Sequence, residues 1–185
     1  MSSVARSTES PFDRRQHPGG MEFRTWEASD GWPHRVYHWP AEGAEPRGSL
    51  IFQSGRADFI EKYLEACDHW HGRGWSVEGF DWRGQGGSGR FVPDASADDR
   101  RSFNPLIDDI IAYVDGWKAR TPGPHVMVAH SMGGHVALRA CAERGMTLDA
   151  LVLVAPMLAL NLGKVPLPLA RLAVTAAQRL GLGAY

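Results

Sequence analysis

The pattern of apolar and polar positions predicts strands that alternate with helices along most of the chain. The runs GSLIFQ, WSVEGFDW, HVMVA and ALVLVA are apolar for most of their length, which is typical of strands covered on both faces. Apolar residues recur at helical spacing within residues 59–70 and within NPLIDDIIAYVDGWKAR, where we expect Asn104 and Pro105 to form the cap and first turn. MGGHVALRACAER predicts a further helix. The alternation predicts a mostly parallel α/β sheet.

The two ends of the chain follow different patterns. MEFRTWEASDGWPHRVYHWP predicts an antiparallel hairpin at one edge of the sheet, with its turn at Ser29, Asp30 and Gly31. Residues 1–20 are polar and lack the apolar core of a secretory signal, so we expect a flexible lead-in. From Met157 onward the chain is apolar and partly helical, and it opens no further strand.

Composition removes several classes of function. The 20 lysine and arginine residues nearly balance the 21 aspartate and glutamate residues, so no basic surface for nucleic acid is expected. Cys67 and Cys141 lie in helix-like segments without CxxC spacing, which favours small core residues over a disulfide or a zinc site. Lys164, Arg171, Arg179 and several prolines interrupt the longest apolar stretch, so we expect no membrane-spanning helix and a cytoplasmic protein.

The stretch VMVAHSMGGHVALRA places Ser131 between a predicted strand and a predicted helix. A serine held on so sharp a turn needs small neighbours two positions away, and Ala129 and Gly133 occupy those positions. The helix that begins at Met132 would direct its free amides toward the serine, which suits a developing oxyanion. The alternative is that Ser131 only caps this helix, which is a common role for serine.

Two further stretches narrow the interpretation. QSGRADFIEKY follows the third strand, where an α/β-hydrolase supplies its second oxyanion amide, and DWRGQGGSGR follows the fourth strand. Together with HSMGG and LVAPML, they resemble the α/β-hydrolase superfamily. Within it they are similar to the lysophospholipases of the bacterial L2 type and the monoacylglycerol lipases, a branch also described as serine aminopeptidase-like. The similarity runs from about Met21 to the end.

The resemblance implies roles for individual residues. Ser131 would be the nucleophile, and the backbone amides of Met132 and Arg56 would form the oxyanion hole. Asp81 and Arg83 would fix a turn beneath the site and take no part in the chemistry. Family members often have His-Gly before the second oxyanion amide, whereas this chain has Ser-Gly at positions 54 and 55. The resemblance implies no metal and no organic cofactor.

The sequence offers no convincing base for Ser131. In this fold the acid and the histidine follow the serine along the chain, and the residues available there are His135, Glu143 and Asp149. His135 lies one turn further along the same helix, and the two carboxylates lie beyond its far end. We expect His130 to pack in the core, on the other side of the turn from Ser131. The base is therefore expected outside this sequence.

These considerations predict an organisation in three parts. Residues 1–20 would be the lead-in, residues 21–156 the N-terminal part of an α/β-hydrolase core, and residues 157–185 the beginning of a cap or lid. The resemblance implies that family members continue with the acid and the histidine, so we expect this chain to end inside the lid. ALVLVA would then be an unprotected apolar edge strand that invites aggregation. The predicted substrate is a single-chain lipid ester, and the lid is a candidate for peripheral contact with the inner membrane.

Two other hypotheses stay open. Gly84, Gly86 and Gly89 satisfy the G-x-G-x-x-G spacing of a dinucleotide-binding loop, but the polar, proline-containing segment after them does not predict the helix that must follow. A phosphate-binding P-loop is excluded because no Lys-Ser or Lys-Thr pair follows the glycines. The chain could also be a hydrolase-like remnant, inactive or used for binding.

Overall fold

The computed structural model describes residues 16–43, 45–91, 102–159 and 165–180, so most of the predicted lead-in and part of the predicted lid lie outside the described residues. In the described part, six strands and four α-helices alternate in the predicted manner. The strands are β1 (Glu22–Glu27), β2 (Pro33–Trp39), β3 (Gly48–Gln53), β4 (Trp75–Phe80), β5 (His125–His130) and β6 (Ala150–Val154). The helices are α1 (Leu64–His71), α2 (Asn104–Arg120), α3 (Met132–Arg144) and α4 (Leu167–Arg179), and the turn Ile60–Lys62 before α1 is a 3₁₀ helix.

The strands form one mixed sheet in the order β1-β2-β4-β3-β5-β6. The first two pairings are antiparallel and the other three are parallel, which confirms the predicted hairpin at the edge of a mostly parallel sheet. Since β3, β4 and β5 run in the same direction, their carboxyl ends lie along one edge of the sheet. Ligands of open α/β sheets bind at this edge, and the loops that follow these strands form the candidate site.

Alternation along the central strands divides the core between the two faces of the sheet. Ile51 and Met127 face α2 and α3, whereas Leu50 and Val128 face α1. Because both faces of β3 are covered, all six of its residues are buried. This double coverage explains why the central strands are apolar at successive positions instead of at every second position.

The start of α2 differs from the sequence-based expectation. Phe103 is the capping residue, and Asn104 is already the first residue of the helix, with no side-chain hydrogen bond to its end. The prediction that Asn104 caps the helix was therefore wrong, while Pro105 does lie in the first turn. The Ser102 hydroxyl accepts a hydrogen bond from the Asn104 amide at 3.1 Å, so the polar contact expected of Asn104 comes from two residues earlier.

The last strand is less buried than its sequence suggests. In the described residues β6 pairs only with β5, and Val152 and Val154 remain 46 % and 44 % exposed. The expectation of a fully buried strand was wrong on one face, while its position at the edge of the sheet matches the prediction. Exposed leucines continue along α4. No helix in the described part of the chain has both the length and the apolar character needed to cross a bilayer.

Candidate active site

Ser131 occupies the sharp turn between β5 and α3. Its backbone has φ 50° and ψ −113°, a region that residues other than glycine seldom adopt. The side chain makes no hydrogen bond to the end of α3, so the alternative that Ser131 serves only as a helix cap finds no support. A strained conformation of this kind persists only where the surroundings enforce it, and such sites are concentrated where a side chain has chemical work.

The end of β6 holds the backbone of Ser131 in place. The Ser131 amide donates a hydrogen bond to the Val154 carbonyl at 3.0 Å, and the Met157 amide donates to the Ser131 carbonyl at 2.9 Å. Ala155, between these partners, also has a positive φ of 44°. Hydrogen bonds from both sides thus fix the strained turn to the neighbouring strand.

Three glycines let the surrounding backbone approach the serine. A Cβ atom on Gly133 would lie 2.5 Å from the Ser54 carbonyl oxygen, and one on Gly55 would lie 3.1 Å from the Ser131 Cβ atom. A Cβ atom on Gly134 would lie 3.0 Å from the Pro156 side chain. Gly133 therefore allows the start of α3 to contact the loop that follows β3, and Gly134 allows it to contact Pro156, which follows β6.

The structure brings the predicted site residues to one place. Met132 is the first residue of α3 and is buried, next to Ser131. Arg56 follows Gly55 in the loop that presses against Ser131, and its residue surface is exposed. The N-terminal end of α3 carries a partial positive charge, so developing negative charge beside Ser131 is favoured here. The arrangement suits an oxyanion next to the serine hydroxyl.

His130 differs from its prediction. Its side chain is 33 % exposed and does not pack in the core. Its Nδ1 atom lies 3.1 Å from the Tyr63 hydroxyl, which donates to the Asp58 carboxylate at 2.7 Å. The expectation was wrong because the residue ends β5 at the edge of the sheet, where the loop after β3 supplies polar partners. His130 therefore connects this loop to the serine turn.

The Asp58 carboxylate supplies a negative charge to this connection. Burial raises its pKa, but hydrogen bonds from Lys62 and Tyr63 outweigh burial, and the pKa lies below its ordinary value. Burial and the contact with Asp58 together raise the pKa of the Tyr63 hydroxyl, which therefore stays protonated at neutral pH. The Tyr63 hydroxyl can donate only one hydrogen bond, and the Asp58 carboxylate accepts it.

No side chain in the described part of the chain hydrogen-bonds to the Ser131 hydroxyl. The His135 ring packs edge-on against Phe103 on the flank of α3, as the helical spacing predicts. Glu143 pairs with Arg139 on the same helix. Asp149 accepts a hydrogen bond from the amide of His125 at the opposite end of β5. The later histidine and carboxylates thus lie where the sequence places them, away from the serine.

Asp81 and Arg83 hold the turn after β4 together, as predicted. The Asp81 carboxylate accepts hydrogen bonds from Arg35 and from the Gly87 amide. Arg83 forms a bidentate ion pair with Asp109, which raises the pKa of its guanidinium. Both side chains are buried.

The glycine-rich turn is built around the Asp81 carboxylate. A Cβ atom on Gly86 would lie 2.0 Å from the Asp81 Oδ2 atom. The described residues after Gly89 form no helix, and the next helix in the described chain begins at Asn104. The glycine at position 86 makes room for an internal carboxylate, so its presence is explained without a bound pyrophosphate, and this loop gives the dinucleotide hypothesis no support.

Comparison with known proteins decides the family. A family model described as serine aminopeptidase, S33, matches residues 44–183. The chain belongs to the S33 serine aminopeptidase family. Lysophospholipase L2 of Escherichia coli strain K12 and its counterpart from strain O6:H1 are each 35 % identical to this S33 chain over 113 residues. That match covers 58 % of the chain and 32 % of each relative, so the chain spans about a third of the curated relatives it matches.

Solved structures show the same fold as this S33 chain. The α/β-hydrolase GrgF from Penicillium sp. sh18 superposes with a TM-score of 0.68 at 20 % identity, over 86 % of this chain and 53 % of that one. The epoxide hydrolase VrEH1 from Vigna radiata superposes with a TM-score of 0.61 at 24 % identity, over 83 % and 46 % of the two chains. Similarity at this identity establishes an α/β-hydrolase fold, which confirms the predicted fold class.

Two features of the site were not predicted. Tyr63 connects Asp58 to His130, and Gln85 hydrogen-bonds the loop after β3. Tyr63 and His130 are 67 positions apart, and Gln85 and Gly55 are 30 positions apart. The only signal was a polar residue within an otherwise glycine-rich turn, which indicates a buried hydrogen bond but does not identify its partner.

Proposed function

We propose that this chain carries the nucleophile and the oxyanion hole of a serine hydrolase for carboxylic esters. The observation that carries the proposal is the strained backbone of Ser131 at the amino end of α3, with the Gly55 loop packed against it. Neither helix capping nor core packing explains this conformation. The S33 family and the similarity to lysophospholipase L2 support the same reaction class.

In the proposed reaction, the Ser131 hydroxyl oxygen attacks the ester carbonyl carbon while a histidine removes the hydroxyl proton. The carbonyl oxygen becomes an oxyanion, which accepts hydrogen bonds from the backbone amides of Met132 and Arg56. Collapse of the intermediate releases the alcohol, which takes the proton from the histidine. Water then hydrolyses the acyl-serine, and the acid is released with the hydroxyl restored.

We propose that the histidine and its acid come from outside the described residues. In the described part of the chain, the Ser131 hydroxyl has no hydrogen-bond partner, and the His130 Nδ1 atom faces Tyr63. Without a base, a preformed oxyanion hole retains only a small part of the rate of a complete enzyme. Residues 1–185 alone should therefore hydrolyse nitrophenyl esters only slowly.

The proposed substrate is a single-chain lipid ester of the lysophospholipid or monoacylglycerol type. It is supported by the similarity to lysophospholipase L2 and by the exposed apolar side chains of α4, which would line the entrance for an acyl chain. Residues 157–185 would be the beginning of the lid. The same helix carries Arg171 and Arg179 and no acidic residue, so it would also contact an anionic membrane surface.

A fluorophosphonate probe distinguishes this proposal from a remnant that only binds. The protein isolated from its source is treated with the probe, and the adduct is located by mass spectrometry. We expect the adduct on Ser131, and we expect none in Ser131→Ala or in heat-denatured wild type, because only an activated serine reacts. A folded wild-type protein that acquires no adduct would favour the binding remnant.

A further inference from the structure

Gln85 is a buried side chain from the turn after β4 that holds the loop after β3. Its Nε2 atom donates to the Gly55 carbonyl at 3.0 Å and to the Asp58 carbonyl at 3.3 Å. Its Oε1 atom accepts a hydrogen bond from the Ala57 amide at 2.8 Å. Only 6 % of the residue is exposed, so water competes little for these hydrogen bonds.

The contact with Gly55 acts on the amide of Arg56. The Gly55 carbonyl and the Arg56 N–H belong to one peptide group, which is planar and normally trans, so the two bonds point in opposite directions. A donor that fixes the carbonyl on one side thereby directs the Arg56 N–H to the other side. A hydrogen bond accepted by the carbonyl also polarises the peptide and strengthens its N–H as a donor.

The loop needs this support because its conformation is not a relaxed one. Ala57 has φ 56°, which is unfavourable for a residue with a Cβ atom, and its amide is the group bound by Gln85. The Trp82 indole donates to the Ser54 carbonyl at 2.8 Å, so the same turn also holds the residue before Gly55. Contacts from one turn therefore hold the loop on both sides of Arg56.

We infer that Gln85 is a positioning residue that orients the Arg56 amide toward the oxyanion. The inference rests on the proposed function, because it assigns Gln85 a task in the reaction proposed there. The orientation of the Arg56 amide is thus set from the turn after β4, outside the loop that carries Arg56. The side-chain amide of glutamine suits this role because it donates to the Gly55 carbonyl and accepts from the Ala57 amide at the same time.

Three variants test the inference. Gln85→Met keeps the length of the side chain and removes all its hydrogen bonds. Gln85→Glu keeps an acceptor for Ala57 but directs a carboxylate at two carbonyl oxygens. Ser88→Ala is the matched control, since it removes a buried hydroxyl of the same turn that bonds Arg35 and Asp81 and does not contact the oxyanion loop.

The first measurement is the rate constant for fluorophosphonate labelling of Ser131, together with kcat and KM for an ester. We expect Gln85→Met to lower the labelling rate and kcat by about 10- to 100-fold with little change in KM, because the negative charge is absent from the bound ester and develops only as the transition state is approached. Ser88→Ala should stay within about twofold of wild type. Equal rates for Gln85→Met and wild type would overturn the inference.

The second measurement is amide hydrogen exchange over residues 54–59, which needs no activity. Gln85→Met should accelerate exchange of the Ala57 amide and leave α3 protected. For Gln85→Glu we compare the labelling rate with that of wild type at each pH. The ratio of the two rates should rise toward one as pH falls from about 8 to about 5, because a protonated carboxyl can donate a hydrogen bond again. A constant ratio across this range would contradict a positioning role.

The two proposals fail in different ways. A wild-type protein without any adduct on Ser131 refutes the proposed function, and the assignment to Gln85 falls with it. A labelled wild-type protein with equally labelled Gln85→Met refutes the assignment alone. If Gln85→Met does not fold, the pH dependence of Gln85→Glu relative to wild type decides the question.

Discussion

Gly133 lies so close to Ser54 that a methyl group on the glycine would be 2.5 Å from the serine carbonyl oxygen. This contact joins the first turn of α3 to the loop after β3, and it sets the distance between the nucleophile and the proposed oxyanion donor. Because both partners are backbone atoms, the clash cannot be relieved by rotating a side chain.

Gly133→Ala should therefore destabilise the protein by about 1–3 kcal/mol, the usual cost of overpacking, and should also slow the labelling of Ser131. Thermal or urea unfolding gives the first quantity. Gly116→Ala is the matched control, because Gly116 lies exposed inside α2 with only the end of Arg120 near its Cβ position. That variant should gain about 0.5–1 kcal/mol from helix propensity. A Gly133→Ala protein as stable as wild type would contradict the close approach.

The strain at Ser131 predicts a difference between two inactive variants. Glycine adopts a positive φ without steric cost, whereas alanine keeps the Cβ atom that opposes it. Ser131→Gly should therefore be more stable than Ser131→Ala by about 1 kcal/mol, although both lose the hydroxyl. Chemical denaturation of the two variants measures the difference. Equal stabilities would show that the turn is relaxed.

The sequence predicted the structure correctly where a residue pattern is compatible with only one local conformation. Four apolar runs separated by helical periods identified the sheet, and Ser131 with Gly133 identified the sharp turn. Asn104 shows the limit of such patterns. Its side chain is a suitable helix cap, but the neighbouring Ser102 provides the hydrogen bond, and the sequence does not determine which of two nearby polar residues is used.

Contacts between distant loops could not be predicted in the same way. Whether His130 lies in the core or at the edge of the sheet depends on where β5 ends relative to Tyr63, which no local pattern encodes. The task of Gln85 likewise depends on the register that brings the turn after β4 beside Gly55. Exposure of Val152 depends on what covers β6, and an apolar run looks the same whether one face or two are covered.

Glu78 makes stability depend on pH. This buried carboxylate accepts hydrogen bonds from His38 and Tyr113 and pairs with Arg24 and Arg120. Burial raises its pKa, but these partners outweigh burial, and the pKa lies below its ordinary value of 4.5. A carboxyl with a lowered pKa stabilises the fold above its unfolded pKa, and this contribution is lost as pH falls. The free energy of unfolding should thus decrease below about pH 4.5.

Glu78→Gln should flatten that decrease, which urea unfolding at several pH values will measure. Glu143→Gln is the control, because its exposed pair with Arg139 should contribute little. The contribution of Asp81 to stability depends on pH with the opposite sign. Burial raises its pKa above 3.8, so its contribution is present at lower pH and is lost as pH rises through the raised value. A Glu78→Gln profile identical to that of wild type would contradict the assignment.

The exposed face of β6 predicts self-association of the chain of residues 1–185. Lysine at both Val152 and Val154 should reduce light scattering on concentration without unfolding the protein, since charges protect an edge strand. Val128→Lys is the comparison, because Val128 is only 7 % exposed and a lysine there would be buried without a partner. It should unfold the domain. Unchanged scattering in the double variant would show that the chains associate through a surface other than β6.

Detection of the acyl-enzyme is the most direct test of the claim that Ser131 is the nucleophile. The protein from its source is mixed with a nitrophenyl ester, quenched within the first turnover, and its mass and peptides are measured. We predict an increase in mass equal to one acyl group, located on Ser131 and absent from Ser131→Ala. Rapid ester hydrolysis with no acyl group on Ser131, or with the acyl group on another residue, would contradict the account.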